Sequence, residues 1–248
     1  MAVSVSGWIA YSLLLAAAPP VRDLEDRVHT RLLQHKAPYT SLDEIPLLVQ
    51  QATIVTEDQR FYDHHGLDGL GILRSILDNL ANACFCQGGS TITEQLAKQI
   101  YLDGNDGSAS RKLRSMLLAL KIENYYSKEQ ILEFYFNTAY YGHGAYGVGA
   151  AAEIYWRRSI DSVDLSEAAM LGGLPQAPSN YDPLEYPAAA RVRRGEVLKR
   201  MVDEGRISRA ESEEAGARPV ASSSEFNVYG SAVRTVPAAI SAVISSPE

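Results

Sequence analysis

Cysteine is nearly absent from this sequence, and the two that occur cannot build a scaffold. Cys84 and Cys86 have a single residue between them. Two cysteines this close cannot form an unstrained intramolecular disulfide, and no further Cys or His completes a zinc-binding spacing. A disulfide framework and a zinc module are therefore excluded, and we interpret both cysteines as small buried hydrophobic residues.

An excess of positive charge is also missing. The formal net charge of the 248-residue chain is −7. A general nucleic-acid-binding protein needs a basic surplus to displace counterions from phosphates, so nucleic acid is not an expected partner. The remaining composition, 46% hydrophobic and 21% charged, is that of a globular protein with a real core.

Charge of either sign is absent from Ala2 to Ala18, an apolar stretch that ends at Pro19-Pro20. Its length is at the short end of what crosses a bilayer. A signal peptide, a membrane anchor and a buried helix are all compatible with it, although a signal peptide would normally begin with basic residues. The pattern favours a membrane anchor over a signal peptide, and either over a buried helix, for residues 1–20.

Strand patterns are scarce, and helical periodicity dominates, so the predicted fold class is mainly α. Capping-box pairs mark the predicted helix starts. The first pair should begin a helix that carries Glu57 at its C-terminal end, and a long helix should begin near Ser110. The four pairs are Ser41 with Glu44, Ser127 with Gln130, Asp164 with Glu167, and Ser208 with Glu211.

The predicted long helix carries an apolar stripe that should face the core, and a basic amphipathic helix is predicted from Ala188 to Glu204. Residues 21–217 are predicted to form one domain, followed by a Ser/Ala-rich linker or tail at 218–248. The stripe expected to point inward consists of Leu113, Met116, Leu117 and Leu120.

Two polar segments stand out from core packing. The first places the carboxylate pair Glu57-Asp58 ahead of Phe61 and His64. A carboxylate at a helix end can serve as a general base if its surroundings tune its pKa. The alternative is a solvated helix-end pair, but the aromatic, histidine and glycine at fixed spacing favour a functional site.

The second segment runs from Gly88 to Lys98 and opens a predicted helix with glycines and hydroxyls. Such a helix start suits an anion or sugar oxygens. Further along, Arg111 and Lys112 add cations suited to a pyrophosphate, although surface charge alone would also explain each one. Glu133 and Asn137 share one helix face, as an ordinary polar pair would.

The order of these motifs resembles that of the peptidoglycan glycosyltransferases. These are the polymerising domains of class A penicillin-binding proteins and the monofunctional transglycosylases. The resemblance covers residues 42–211 and implies a lysozyme-like globular lobe with a hydrophobic, membrane-facing jaw. The motifs that carry it are Glu57-Asp58 to Gly66, Gly88 to Lys98, Arg111-Lys112, Ile131 to Asn137 and Leu174 to Pro183.

Members of this family polymerise lipid II, transferring the growing glycan from its undecaprenyl pyrophosphate to the 4-hydroxyl of a GlcNAc with inversion. The resemblance implies that Glu57 is the catalytic residue, which deprotonates that hydroxyl. Arg111 and Lys112 would neutralise the leaving pyrophosphate. The implied substrate-binding set, which supports the base, lines the cleft, holds the donor or braces the site, is Asp58, Phe61, His64, Ser90, Thr91, Thr93, Gln95, Lys98, Arg111, Lys112, Glu133 and Asn137.

The chain departs from the family in three places. The third motif usually ends Arg-Lys-x-x-Glu, but Ser115 stands where that carboxylate is expected, and Glu123 lies about 12 Å further along a helix. The second motif has Glu94 where the family has glutamine. An arginine that is common before the third motif also has no counterpart, so we expect weakened donor binding.

Three hypotheses follow. The first is a monofunctional glycosyltransferase slowed by Ser115, since no Ser-x-x-Lys or Lys-Thr-Gly transpeptidase signature occurs. The second is a catalytically weak relative that binds lipid II or glycan and acts through partners. The third, a lysozyme-like hydrolase, is disfavoured by the cations of the expected phosphate site.

The resemblance also implies the surroundings. Lipid II, the growing glycan strand and the membrane are the expected partners, together with other proteins of cell-wall synthesis or division. The expected location is the bacterial cell membrane, with the catalytic domain extracytoplasmic. No cofactor is certain: a divalent ion such as Mg²⁺ could assist the leaving group, but the sequence shows no dedicated set of metal ligands.

Overall fold

The computed structural model describes Leu15 and residues 18–71, 89–102 and 109–221. Within these ranges the only β pairing consists of two isolated bridges, which confirms a mainly α fold. Short 3₁₀ turns occupy Leu42–Glu44 and Ile160–Ser162. The α-helices are α1 (Leu24–His35), α2 (Leu47–Glu57), α3 (Ile92–Tyr101), α4 (Ala109–Glu123), α5 (Lys128–Thr138), α6 (Val148–Trp156), α7 (Leu165–Gly173), α8 (Pro187–Asp203) and α9 (Arg209–Ala217).

Several predictions lie outside the described residues. They include both cysteines, nearly all of the proposed N-terminal anchor and most of the proposed tail. In the part of the chain that the structure describes, no helix combines the length and apolarity needed to span a bilayer.

Three of the predicted capping boxes are confirmed, at the starts of α5, α7 and α9. The pair Ser41 and Glu44 differs, because it caps the start of the 3₁₀ turn and α2 begins only after Pro46. Proline disfavours helical geometry in the residue before it, and Ile45 is accordingly extended, with φ −86° and ψ 115°. The helix still ends at Glu57, as predicted.

The inward face of α4 was predicted wrongly. Leu113 is 57% exposed, whereas the fully buried residues of α4 include Ser115 and Ala119. The helix carries apolar residues on more than one face, so periodicity alone could not choose between them. Close packing against Gly66 fixes which face points inward, because a β-carbon added at Gly66 would lie only 2.9 Å from the backbone of Ala119.

Helix α2 packs along α7, and α8 lies against both. The approach of α2 to α7 is closest at Gly172, where an added β-carbon would lie 2.7 Å from the carbonyl carbon of Ala52. A second, smaller core between α2, α7, α8 and α9 includes Ala52, Val55, Val197 and Met201. This packing sets the position of the end of α2, and therefore of Glu57.

We expect Gly172→Ala to destabilise the protein by about 1–3 kcal/mol, because the methyl group would force the backbones of α2 and α7 apart. Gly195→Ala on α8 is the matched control. Nothing lies within 4 Å of its added β-carbon, so this change should stabilise the helix by about 0.5–1 kcal/mol. Thermal unfolding measures both, and wild-type stability of Gly172→Ala would show that the two helices separate freely.

Candidate active site

Glu57 is the last residue of α2, and a hydrogen bond from a neighbouring helix holds its carboxylate. Gln95 donates from Nε2 to Oε2 of Glu57 at 2.7 Å. The Gln95 amide is oriented in turn by the hydroxyl of Tyr135, which donates to its Oε1 at 3.3 Å. Helix α3 therefore presents a fixed hydrogen-bond donor to the end of α2.

The surroundings of Glu57 raise the pKa of its carboxyl group. Burial is the main cause, and the neighbouring Asp58 charge adds to it. The hydrogen bond from Gln95 and the charges of Arg193 and Arg200 act in the opposite direction but do not outweigh burial. A carboxylate tuned upward in this way is a stronger base than an ordinary surface glutamate.

A group of cations lies on the same side of α3 as the Glu57 contact. Lys98 follows Gln95 by three residues, so the two side chains are neighbours on one helix face. The ammonium groups of Lys98 and Lys112 each lie 3.0 Å from the hydroxyl oxygen of Ser90. Arg111 approaches from α4 and donates to the carbonyl of Leu102 at 3.0 Å.

These cations repel one another. Burial lowers the pKa of the Lys98 ammonium, and the charges of Lys112 and Arg111 lower it further, against the opposing effect of Glu94. An anion bound beside Ser90 would relieve this repulsion and accept hydrogen bonds from both lysines. The geometry thus places a carboxylate of raised pKa and a group of cations on the same face of α3.

Asp58 is buried beside Glu57 and points into the protein. Its carboxylate accepts from Nε2 of His64 at 2.9 Å and from the first backbone N–H of α3, that of Ile92, at 3.0 Å. The hydrogen bond from Ile92 to Asp58 therefore ties the end of α2 to the start of α3. The supporting role of Asp58 in the reaction stays a prediction.

Phe61 and His64 lie beneath the site instead of in a cleft wall. Phe61 is fully buried, with its ring edge toward His64 and the Lys128 ammonium 4.4 Å from the ring centroid. The expectation that these rings line the cleft is corrected here. The physical reason is that exposing a large aromatic side chain to water is unfavourable, so Phe61 packs into the core.

The two threonines of the second motif are also turned inward. Thr91 caps α3 and donates to the carbonyl of Gly66 at 2.7 Å. Thr93 donates to the carboxylate of Glu123 at 2.6 Å. Because each hydroxyl has one proton, these two residues shape the start of α3 and are not placed to donate to a ligand, which corrects the expected direct contact.

Glu133 and Asn137 hold the segment that precedes α2. Glu133 accepts from the hydroxyl of Tyr39 and from the backbone N–H of Leu42, the latter at 2.6 Å. Asn137 forms a pair of hydrogen bonds with the backbone of Thr40, at 2.8 and 2.7 Å. Both side chains are placed as braces and not as ligand contacts.

Two arginines near Glu57 were not predicted from the sequence. Arg200 donates to the carbonyl of Thr56 at 3.1 Å and so caps the end of α2. Arg193 donates to the carbonyl of Gly173 at 3.0 Å and is almost fully buried. Both lie on a helix whose arginines look like ordinary surface charge in the sequence, so no local signal identified them.

In the part of the chain that the structure describes, no group of three potential metal ligands includes Glu57 or its neighbour Asp58. Among the described residues, the one group of three potential ligands is His143, Asp182 and Glu185, whose ligand atoms lie within 4.8 Å of one another. Asp182 already accepts the backbone N–H of Leu184 at 2.9 Å and pairs with His143. The hydrogen bonds of Asp182 stabilise a turn, which explains why these three side chains lie together.

Comparison with known proteins gives a consistent result. Residues 25–202 match the family model described as Transglycosylase. The chain is 42% identical over 212 residues to penicillin-binding protein 1A of Aquifex aeolicus, covering 84% of this chain and 29% of that protein. It is 45% identical over 168 residues to penicillin-binding protein 1A of Escherichia coli, covering 68% of this chain and 20% of that protein.

A crystal structure of penicillin-binding protein 1A from Haemophilus influenzae is also similar, with a TM-score of 0.45 and 26% identity over 75% of this chain and 18% of that chain. The chain spans less than a third of the length of these relatives.

Proposed function

This chain belongs to the transglycosylase family, and we propose that it is a peptidoglycan glycosyltransferase that polymerises lipid II into glycan strands with inversion. The observation that carries the proposal is the 2.7 Å hydrogen bond between Gln95 and Glu57. That bond joins a carboxylate of raised pKa to the helix face that bears Lys98.

In the proposed reaction, Glu57 removes the proton from the 4-hydroxyl of the GlcNAc acceptor as the new glycosidic bond forms. The bond between the donor sugar and its lipid pyrophosphate breaks at the same time, and the leaving pyrophosphate carries away the electron pair. Lys98, Lys112 and Arg111 would stabilise the growing negative charge on this group. Ser90, which both lysines already contact, would help to position the donor phosphates.

The proposed surroundings follow from this substrate. A lipid-linked donor places the domain at the outer face of the bacterial cell membrane. Residues 1–20 would be the anchor, 21–217 the catalytic domain and 218–248 a linker or tail. Lipid II and the glycan strand are the proposed partners, together with other proteins of cell-wall synthesis or division.

A second candidate function is favoured by Ser115, the serine that replaces the acidic residue of the third motif. On this hypothesis the protein binds lipid II or glycan without polymerising it, and acts through partner proteins. Glu57 argues against this hypothesis, because a binding protein has no evident use for a carboxyl group of raised pKa.

The deciding experiment incubates the purified full chain with fluorescent lipid II in detergent or vesicles and resolves the products on a gel. We expect a ladder of glycan strands that a muramidase digests. Binding of lipid II without strands would support the binding protein and refute the enzyme. Release of sugars from finished cell wall would support a hydrolase.

Lys98→Met should raise the KM for lipid II by about 10-fold or more, because it removes a partly desolvated cation from the anion-binding group. The matched control is Lys199→Met, since Lys199 is an exposed residue of α8 that pairs with Asp203. A KM unchanged by Lys98→Met would contradict the phosphate assignment. Kinetics at constant ionic strength provide the measurement.

A further inference from the structure

Two of the three departures from the family pattern touch each other in the folded protein. Glu94 on α3 and Ser115 on α4 are both fully buried, and Oγ of Ser115 lies 3.4 Å from Oε1 of Glu94. The Glu94 carboxylate also contacts the Lys112 ammonium, at 2.9 and 3.1 Å. One buried carboxylate therefore lies between the serine and a cation of the phosphate site.

Helix capping does not explain the charge of Glu94. It is the third residue of α3 and accepts the backbone N–H of Thr91 at 3.3 Å, completing a capping box. Glutamine completes a capping box as well as glutamate does. A buried carboxylate, in contrast, is unfavourable unless a cation compensates it. We therefore attribute the negative charge at position 94 to its ion pair with Lys112.

Lys112 is held from two sides. Its ammonium contacts Glu94 on one side and the Ser90 hydroxyl on the other, at 3.0 Å. Position 115 follows Lys112 by three residues on α4, so a glutamate there would approach the same ammonium from its own helix. The two positions are therefore alternative sources of one negative charge.

The space around this ammonium suits a single carboxylate. Ser115 donates its hydroxyl proton to the carbonyl of Lys112 at 2.7 Å, so it is satisfied within its own helix. Glu123, two turns further along α4, cannot supply the charge because it already accepts from Thr93 and pairs with Lys128, both at 2.6 Å. A second carboxylate at 115 would meet Glu94 at close range, where two like charges repel strongly.

We propose that Glu94 and Ser115 are a compensating exchange, in which the carboxylate that the third motif usually carries on α4 is supplied here from α3. Glu94 is then a positioning residue that fixes the Lys112 ammonium against Ser90 and the donor phosphates. This inference rests on the proposed function. It also revises the expectation from sequence that Glu94 weakens donor binding and that Ser115 leaves the enzyme impaired.

The test is a double-mutant cycle in the lipid II assay with the full chain. Glu94→Gln keeps the capping box but leaves Lys112 without its anion, and should lower kcat/KM by about 10- to 100-fold. Ser115→Glu alone places two carboxylates together and should also lower it. The double variant Glu94→Gln/Ser115→Glu restores one carboxylate and should recover activity to within about threefold of wild type.

Glu211→Gln is the matched control, because Glu211 occupies the same capping-box position at the exposed start of α9. It should leave kcat/KM unchanged. Melting temperatures of all variants separate folding from activity, and if Glu94→Gln does not fold, the double variant decides by itself. A folded double variant with no recovered activity overturns the exchange.

Failure of the proposed function would look different. If wild-type protein forms strands that depend on Glu57 but Glu94→Gln matches wild type, only the exchange is wrong. If wild-type protein forms no strands at all, the proposed function fails, and the exchange fails with it.

Discussion

Replacing Glu57 with glutamine should abolish polymerisation and at the same time make the protein more stable. Loss of a general base costs a factor of about 10²–10⁴ in rate. The amide is nearly the same size as the carboxylate and can still accept the hydrogen bond from Gln95. We therefore expect loss of activity without loss of structure.

The gain in stability follows from the direction of the pKa shift. The pKa of Glu57 is raised in the folded protein, chiefly by burial, so ionising this group is harder in the folded state than in the unfolded state. The resulting penalty is absent below the pKa of an ordinary glutamate and is complete above the raised pKa. Glu57→Gln should therefore raise the free energy of unfolding at neutral pH, by an amount on the order of 1 kcal/mol.

Unfolding measured across acid to neutral pH provides the check. The stability difference between Glu57→Gln and wild type should grow as pH rises through this window and then level off. Glu213→Gln, a change at an exposed carboxylate of α9, should show no such growth. Strand synthesis by Glu57→Gln at the wild-type rate would refute the assignment of the base.

The same shift affects the rate. Because Glu57 must be ionised to accept a proton, wild-type activity should fall on the acid side at a pH above the pKa of an ordinary glutamate. The pH dependence of kcat/KM reports this limb directly.

Arg194→Met should destabilise the protein by about 3 kcal/mol or more, the largest structural effect that we expect. The Arg194 guanidinium is fully buried on α8. It donates to Oγ of Ser166 on α7 at 2.7 Å and to three backbone carbonyls, those of Gly216, Arg218 and Pro219, at 2.7–3.0 Å. Methionine fills a similar volume but leaves the buried Ser166 hydroxyl and the three backbone carbonyls without this donor.

Arg191→Met on the same helix is the control, because Arg191 is exposed. Its effect on unfolding should stay within about 0.5 kcal/mol. Limited proteolysis gives a second measurement, since the segment 216–219 that Arg194 holds should become cleavable. Equal stability of the two variants would mean that the buried hydrogen bonds contribute nothing.

Local hydrogen bonding explains what the sequence predicted correctly. The starts of α5, α7 and α9 depend on side chains that bond to a backbone N–H three residues away, so the pattern is complete within four residues. The end of α2 at Glu57 was likewise predicted from local periodicity. The order of the motifs was enough to indicate the family.

Long-range packing decided the rest. Periodicity offered α4 two apolar faces, and the face that entered the core includes Ala119, whose backbone lies close against Gly66 because glycine has no side chain. The prediction that α8 is an amphipathic helix is confirmed, but its buried face includes Arg193 and Arg194 because carbonyls of other segments accept their hydrogen bonds.

The candidate site divides in the same way. The sequence by itself identified the candidate reactive groups, Glu57, Lys98 and Lys112, because residue type sets which groups carry charge, whereas burial in the folded protein raises the pKa of Glu57. Only the tertiary structure determined that Phe61 lies in the core and that Glu94 meets Ser115 and Lys112. Those contacts join residues far apart in the chain, where burial and charge pairing act between helices and leave no trace in local spacing.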